Sequence, residues 1–73
     1  MAGRQDYDPR GELLQVLLEK VVQDRHPSIT MMNLIEELLT PQEVPSYAEV
    51  LMDKIRSERF PSISMMLRAR SLG

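Results

Sequence analysis

The chain has 73 residues, of which 42% are hydrophobic and 27% are charged, and its formal net charge is −2. This balance is typical of one small globular domain and argues against a general nucleic-acid binder, which carries a basic excess. The absence of cysteine excludes disulfides, thiolate zinc sites and cysteine nucleophiles. Small secreted domains are usually stapled by disulfides, and the first ten residues hold no apolar run of a signal peptide, so we expect a cytoplasmic location.

The N-terminal part of the chain predicts a loose segment and then a helix. Residues 1–8 are polar and are predicted to be a flexible terminus ahead of a single four-helix domain over residues 9–73. Asp8 followed by Pro9 predicts a helix start, because aspartate accepts from free amides and proline suits the first helical position. The apolar periodicity predicts that helix 1 ends near Asp24 and buries an arc wide enough to contact more than one neighbour.

Helices 2 and 4 are predicted from the same start signal, a proline followed by a serine. Pro27 ends helix 1, because the residue before a proline is pushed out of the α region, and Ser28 can cap helix 2 as far as about Leu39. The pair recurs at Pro61–Ser62 and predicts helix 4 over about 63–71.

Helix 3 is predicted from two overlapping capping boxes. A short turn is expected after Thr40, with Glu43 as the acid of the first box. Ser46 and Glu49 form the second box, which predicts helix 3 over about 47–58.

Two segments of the chain have similar sequences. Residues 13–32 and 47–66 align without a gap, and nine of the paired positions are identical. These are Val16/Val50, Leu17/Leu51, Lys20/Lys54, Arg25/Arg59, Pro27/Pro61, Ser28/Ser62, Ile29/Ile63, Met31/Met65 and Met32/Met66. Paired positions are always 34 residues apart, and we call this constant shift the repeat offset. The alignment predicts two copies of one helix-turn-helix hairpin, hairpin A at about 9–40 and hairpin B at about 41–72.

The predicted fold is therefore all-α, with four short helices that form two repeated hairpins in a compact bundle. Similar hairpins usually pack about a pseudo-two-fold axis, and the alternative is that each hairpin meets one from a second chain. The 34-residue period invites comparison with the tetratricopeptide repeat, but the small and aromatic residues of that pattern are missing. The short turns also lack the oxygen ligands of an EF-hand loop.

Two sets of residues in the aligned segments could carry chemistry, and both are better interpreted as packing. His26 could be a general base or a pH switch, but its counterpart is Phe60, so we expect a flat ring that packs in the turn. The paired methionines, Met31/Met65 and Met32/Met66, are expected to fill the core.

The sequence has no pattern of an enzyme. It has one histidine, no cysteine, no serine–histidine arrangement, no glycine-rich phosphate loop and no metal-ligand cluster. We therefore expect a non-enzymatic adaptor or regulatory module that binds another protein or forms a homodimer, with no cofactor, metal, membrane or small-molecule substrate.

The expected contact surface lies where the two copies differ and where apolar residues fall on polar faces. Val16 and Val50 lie on the outer sides of helices 1 and 3, and Leu67 replaces a polar residue of helix 2. Arg68 and Arg70 are expected at the rim of this surface, although one of them could instead pair with an acidic residue of helix 2.

The alternative function is a helix-turn-helix DNA-binding regulator with helix 4 as the reading helix. Its two arginines, Arg68 and Arg70, fall on nearly opposite faces of that helix, whereas a groove-reading helix has its basic side chains on one face. We therefore expect a protein partner rather than nucleic acid.

Overall fold

A computed structural model describes residues 7–73, so most of the predicted flexible terminus, residues 1–8, lies outside the described residues. Within residues 7–73 the chain forms four α-helices and no strand. The helices are α1 (Pro9–Gln23), α2 (Ile29–Leu38), α3 (Val44–Ser57) and α4 (Ile63–Leu72). The predicted all-α, four-helix architecture is confirmed. No helix in the described part combines the length and the apolar character needed to cross a membrane.

Serine side chains cap α2 and α4 as predicted. The hydroxyl oxygen of Ser28 accepts from the amide of Met31 at 3.0 Å, and that of Ser62 accepts from the amide of Met65 at 3.3 Å. Each bond satisfies one of the amides that have no partner within the first turn of a helix. Helix α1 starts at Pro9 with Asp8 as its N-cap residue, as predicted, but the Asp8 side chain makes no cap hydrogen bond.

Helix α3 begins three residues earlier than predicted. Its first residue is Val44, so Ser46 lies inside the first turn and cannot act as the N-cap. Pro45 allows this start because proline is tolerated in the first turn, where its missing amide leaves no bond unmade. The first predicted box does form its acid contact, since the Glu43 carboxylate accepts from the Thr40 amide at 2.9 Å.

The core lies where three helix pairs meet: α1 packs on α2, α3 packs on α4, and α1 packs on α3. We refer to α1–α2 as hairpin A and to α3–α4 as hairpin B. Every buried side chain of the hydrophobic cluster is apolar or aromatic, and each helix contributes at least one. The cluster consists of Leu14, Leu18, Val21, Met32, Ile35, Tyr47, Leu51 and Met65.

Helices α1 and α3 run in the same direction. Arg10, in the first turn of α1, binds Glu43, which precedes α3. At the opposite end, the Lys54 ammonium of α3 donates to the carbonyl of Asp24, the residue that follows α1.

Helices α2 and α4 also run in the same direction. Met32 and Met65, near the two helix starts, line one common cleft. Further along the helices, Glu36 of α2 pairs with Arg68 of α4 at 2.7 Å. Hairpin B therefore lies beside hairpin A with both of its helices in the same orientation.

The two hairpins meet through different faces. In hairpin A the second methionine of the Met-Met pair is buried, since Met32 is 2% exposed while Met31 is half-buried. In hairpin B the first is buried, since Met65 is 6% exposed while Met66 is half-buried. A two-fold axis would bury equivalent positions equally, because both partners use the same patch. The expected pseudo-two-fold packing is therefore wrong.

Candidate interaction surfaces

A polar cluster joins α2 to hairpin B. The Glu36 carboxylate accepts from the Tyr47 hydroxyl at 2.6 Å and from an Arg68 guanidinium nitrogen at 2.7 Å. Burial and then the hydrogen bond to Glu36 raise the pKa of Tyr47, so its hydroxyl remains a donor at neutral pH. Charge-assisted bonds of this kind are stronger than neutral ones. The cluster uses its polar groups to fix one hairpin on the other.

A second set of polar contacts, between Arg10 and Glu43, joins the two hairpins at the end of the domain where α1 and α3 begin. These contacts were not predicted from the sequence. The Arg10 guanidinium donates to both oxygens of Glu43, at 2.9 and 3.0 Å, and to the Leu38 carbonyl at 2.8 Å. The hydrogen bond from Arg10 lowers the pKa of the Glu43 carboxyl to about 2. A cation in the first turn of a helix is unfavourable unless it has an acidic partner. The position of Arg10 in the first turn of α1 was therefore the sequence signal that could have predicted this ion pair.

The residues of both Pro-Ser turns line one cleft, which we call the turn cleft. Its walls include Pro27 and Met32 from hairpin A, and Pro61 and Met65 from hairpin B. Its volume is about 190 Å³. Sites for small molecules usually enclose about 300–1,000 Å³, so the turn cleft is too small for a typical cofactor.

The two aromatic rings at the turns are exposed, so the prediction that they pack there is wrong. Phe60 is 84% exposed, and the Arg59 guanidinium carbon lies 5.7 Å from its ring centroid. His26 is exposed as well. In hairpin A the residue that follows His26, Pro27, is buried.

A mostly apolar depression lies between α3 and α4. We call it the outer depression, and its lining residues are Met52, Ile55, Met66, Ala69 and Arg70. Among residues 7–73, Arg70 is the one charged residue that lines it. Met52 is more than a third exposed, so the depression presents apolar surface to the solvent.

The five residues predicted to form the contact surface do not share one depression. Val50 lies with Val22 in a groove between α1 and α3, whereas Arg70 lines the outer depression. Val16 and Leu67 are exposed, as predicted for a contact surface.

Arg68 is a correction to that set. Its side chain is only 13% exposed and its guanidinium is bound to Glu36, so it is not a free rim residue. The alternative that the sequence analysis left open, an ion pair between α2 and α4, is confirmed for this pair.

Among residues 7–73, no group of three or more His, Cys, Asp or Glu side chains is placed to hold a metal ion. Buried side-chain nitrogen and oxygen atoms in this part of the chain all have a hydrogen-bond partner. The chain matches no protein-family model, no curated protein and no solved structure.

Proposed function

We propose that this chain is a small, non-enzymatic protein–protein interaction module of the adaptor or regulatory kind, able to self-associate. The observation that carries the proposal is the exposure of large apolar side chains, ten of which are more than a third exposed in residues 7–73. Single exposed apolar residues need no explanation, but several of these recur on the same helix face. Leu13 and Val16, for example, lie one turn apart on α1.

The chemistry of the interior supports a binding role over a catalytic one. The buried residues of the described part include no charged side chain. Arg68, whose side chain is 13% exposed, is bound to Glu36, and the same carboxylate accepts from the Tyr47 hydroxyl. An active site needs a cleft with polar groups free to act on a substrate, whereas these groups bind one another. The chain has no cysteine, whereas small secreted domains are usually stapled by disulfides, so we place the module in the cytoplasm.

The alternative of a helix-turn-helix DNA-binding regulator has less support. A reading helix needs several polar and basic side chains free to reach base edges. In α4 the Arg68 guanidinium is held by Glu36, which leaves Arg70 as the basic side chain that is exposed. The neighbouring α2 carries Glu36 and Glu37, whose charges oppose a DNA backbone.

The proposal is tested by photo-crosslinking in cells that express the protein. A photoreactive amino acid is placed at Leu67 or at Met52, both exposed and apolar, and at Glu37 as an exposed polar control. We expect protein adducts from the apolar positions that survive nuclease treatment, and few from Glu37. Adducts that disappear with nuclease support the DNA alternative. The absence of any protein adduct from the apolar positions contradicts the proposal.

A further inference from the structure

We infer that copies of this chain associate head to tail, with the outer face of hairpin A of one copy seated on the outer face of hairpin B of the next. The inference rests on the proposed function, because self-association is one form of protein binding. Its basis is the junction between the two hairpins inside one chain. Both sides of that junction have counterparts, related by the repeat offset, on the uncovered outer faces of the domain.

Five residues of hairpin A, four from the core cluster and one from the polar cluster, are compared with the outside of hairpin B. Four of them are apolar and at most 8% exposed, and the fifth is the acid of the polar cluster. They are Leu18, Val21, Met32, Ile35 and Glu36.

The residues one repeat offset later are the five that line the outer depression. They are Met52, Ile55, Met66, Ala69 and Arg70, in the same order. Leu14 of the core cluster has its counterpart at Ala48, which does not line the depression. Helices α2 and α4, Ile29–Leu38 and Ile63–Leu72, are related by the same offset at both ends, which keeps the register between the two faces. The outside of hairpin B therefore resembles the face of hairpin A on which hairpin B packs inside the chain.

The other side of the junction reappears on the outside of hairpin A. On the side of hairpin B, Tyr47, Leu51 and Met65 belong to the core cluster, Val50 packs against it, and Arg68 belongs to the polar cluster. The positions one repeat offset earlier are Leu13, Val16, Leu17, Met31 and Leu34. All five are apolar, although two of their counterparts are polar, and none is buried. This outer face is therefore more apolar than the face that already packs inside the chain.

Charged contacts at the turns are also preserved under the offset. Inside the chain Arg25 lies 3.6 Å from Glu58, and the Lys54 ammonium donates to the Asp24 carbonyl. Between copies, the counterpart of the first contact would join Arg59 of one copy to Asp24 of the next. The counterpart of the second would join Lys20 of the next copy to the backbone carbonyl of Glu58. Arg59 and Asp24 carry opposite charges, and the Lys20 ammonium is a donor that a backbone carbonyl can accept from.

The polar cluster is not preserved, and this sets the strength of the contact. Where Glu36 meets Tyr47 and Arg68 inside the chain, Arg70 of one copy would meet Leu13 and Leu34 of the next. Apolar contacts are kept while the charge-assisted hydrogen bonds are lost, so the contact between copies is weaker than the internal junction. Because each copy uses two different faces, the contact does not end at a dimer and produces a chain or a ring.

Two variants that each block one face test the inference. Leu13→Glu places a charge on the outer face of hairpin A, and Met52→Glu places one in the outer depression. Both positions are more than a third exposed, so helix content should be retained. At a concentration where the unmodified chain associates, each variant alone should be a monomer. An equimolar mixture should form a dimer and nothing larger, because one unblocked face of each kind remains. Glu37→Gln, an exposed control, should associate like the unmodified chain.

A mixture of folded variants that stays monomeric overturns the inference, and so does either variant that associates as the unmodified chain does. If either variant loses helix content, Leu34→Lys and Met66→Lys repeat the test on the same two faces. A chain that is monomeric at all concentrations but gives crosslinks to a different protein defeats head-to-tail association and leaves the proposed function standing. Monomeric behaviour together with an absence of protein crosslinks defeats both.

Discussion

Four methionine-to-alanine variants test how the two hairpins face each other. Met32 and Met65 are 2% and 6% exposed, so their truncation removes buried apolar surface and leaves a cavity. Buried methionine-to-alanine changes cost about 2–5 kcal/mol, and we expect about 3 kcal/mol for each of these two. Met31 and Met66 are half-buried. Truncating these two side chains loses less transfer free energy, and solvent can fill the space that is left, so we expect a cost of about 1 kcal/mol for each.

The assay is urea unfolding followed by helix circular dichroism, at a concentration at which the chain is monomeric. Alanine has the same helix propensity at all four positions, so the intrinsic helical preference cancels in the comparison. A domain of this size has roughly 4–11 kcal/mol of stability at about 0.05–0.15 kcal/mol per residue, so the expected losses are measurable. Equal losses within each aligned pair, Met31 with Met65 and Met32 with Met66, would mean that equivalent faces are equally buried. That result would refute the arrangement in which hairpin B lies beside hairpin A in the same orientation.

Three further changes probe single contacts. Because the pKa of Glu43 is lowered from 4.5 to about 2, the stabilisation from its pairing should be complete above about pH 4.5 and lost as the pH falls towards 2. The stability difference between the unmodified chain and Glu43→Gln, measured by urea unfolding, should therefore shrink as the pH falls. A difference that stays constant contradicts the pairing of Glu43 with Arg10. Tyr47→Phe should cost about 1.5–3 kcal/mol, since it removes a hydrogen bond to a charged carboxylate, and an unchanged urea midpoint contradicts this. Phe60→Ala should change stability by less than about 0.5 kcal/mol, because the ring is 84% exposed; a larger loss in the same assay means that the ring packs in the turn.

Local signals in the sequence were enough to predict the helices and most of their ends. Ser28 and Ser62 follow prolines and precede apolar periodic segments, and both make the predicted cap bond. The start of α3 was misplaced because two boxes overlap within 40–49, and pattern alone does not decide between them. The acid contact from Glu43 to Thr40 forms, whereas Ser46 is already inside the helix.

The relation between the hairpins could not be predicted, because periodicity shows which side of a helix is apolar but not which neighbour each part of it meets. The Met-Met pairs have identical letters and opposite burial. Contacts such as that between Arg10 and Glu43 join residues far apart in sequence and leave only weak local signals.

Only part of the candidate surface was predicted, because periodicity does not show which neighbour an outward-facing residue meets. Val16 and Val50 were both expected on the outer sides of their helices. For Val50 a neighbour is found on α1, beside Val22, whereas Val16 remains exposed. The charge of Arg68 suggested a rim residue, but its guanidinium is bound inside the chain.

The most direct test of this account is the weight-average mass of the unmodified chain, measured by sedimentation equilibrium over a wide concentration range. The mass of one chain is 8.4 kDa. Head-to-tail contact through two different faces predicts that the mass rises with concentration and passes twice this value without a plateau there. A plateau at the dimer would indicate a two-fold contact through one face, and a constant 8.4 kDa would mean that the outer faces do not bind each other.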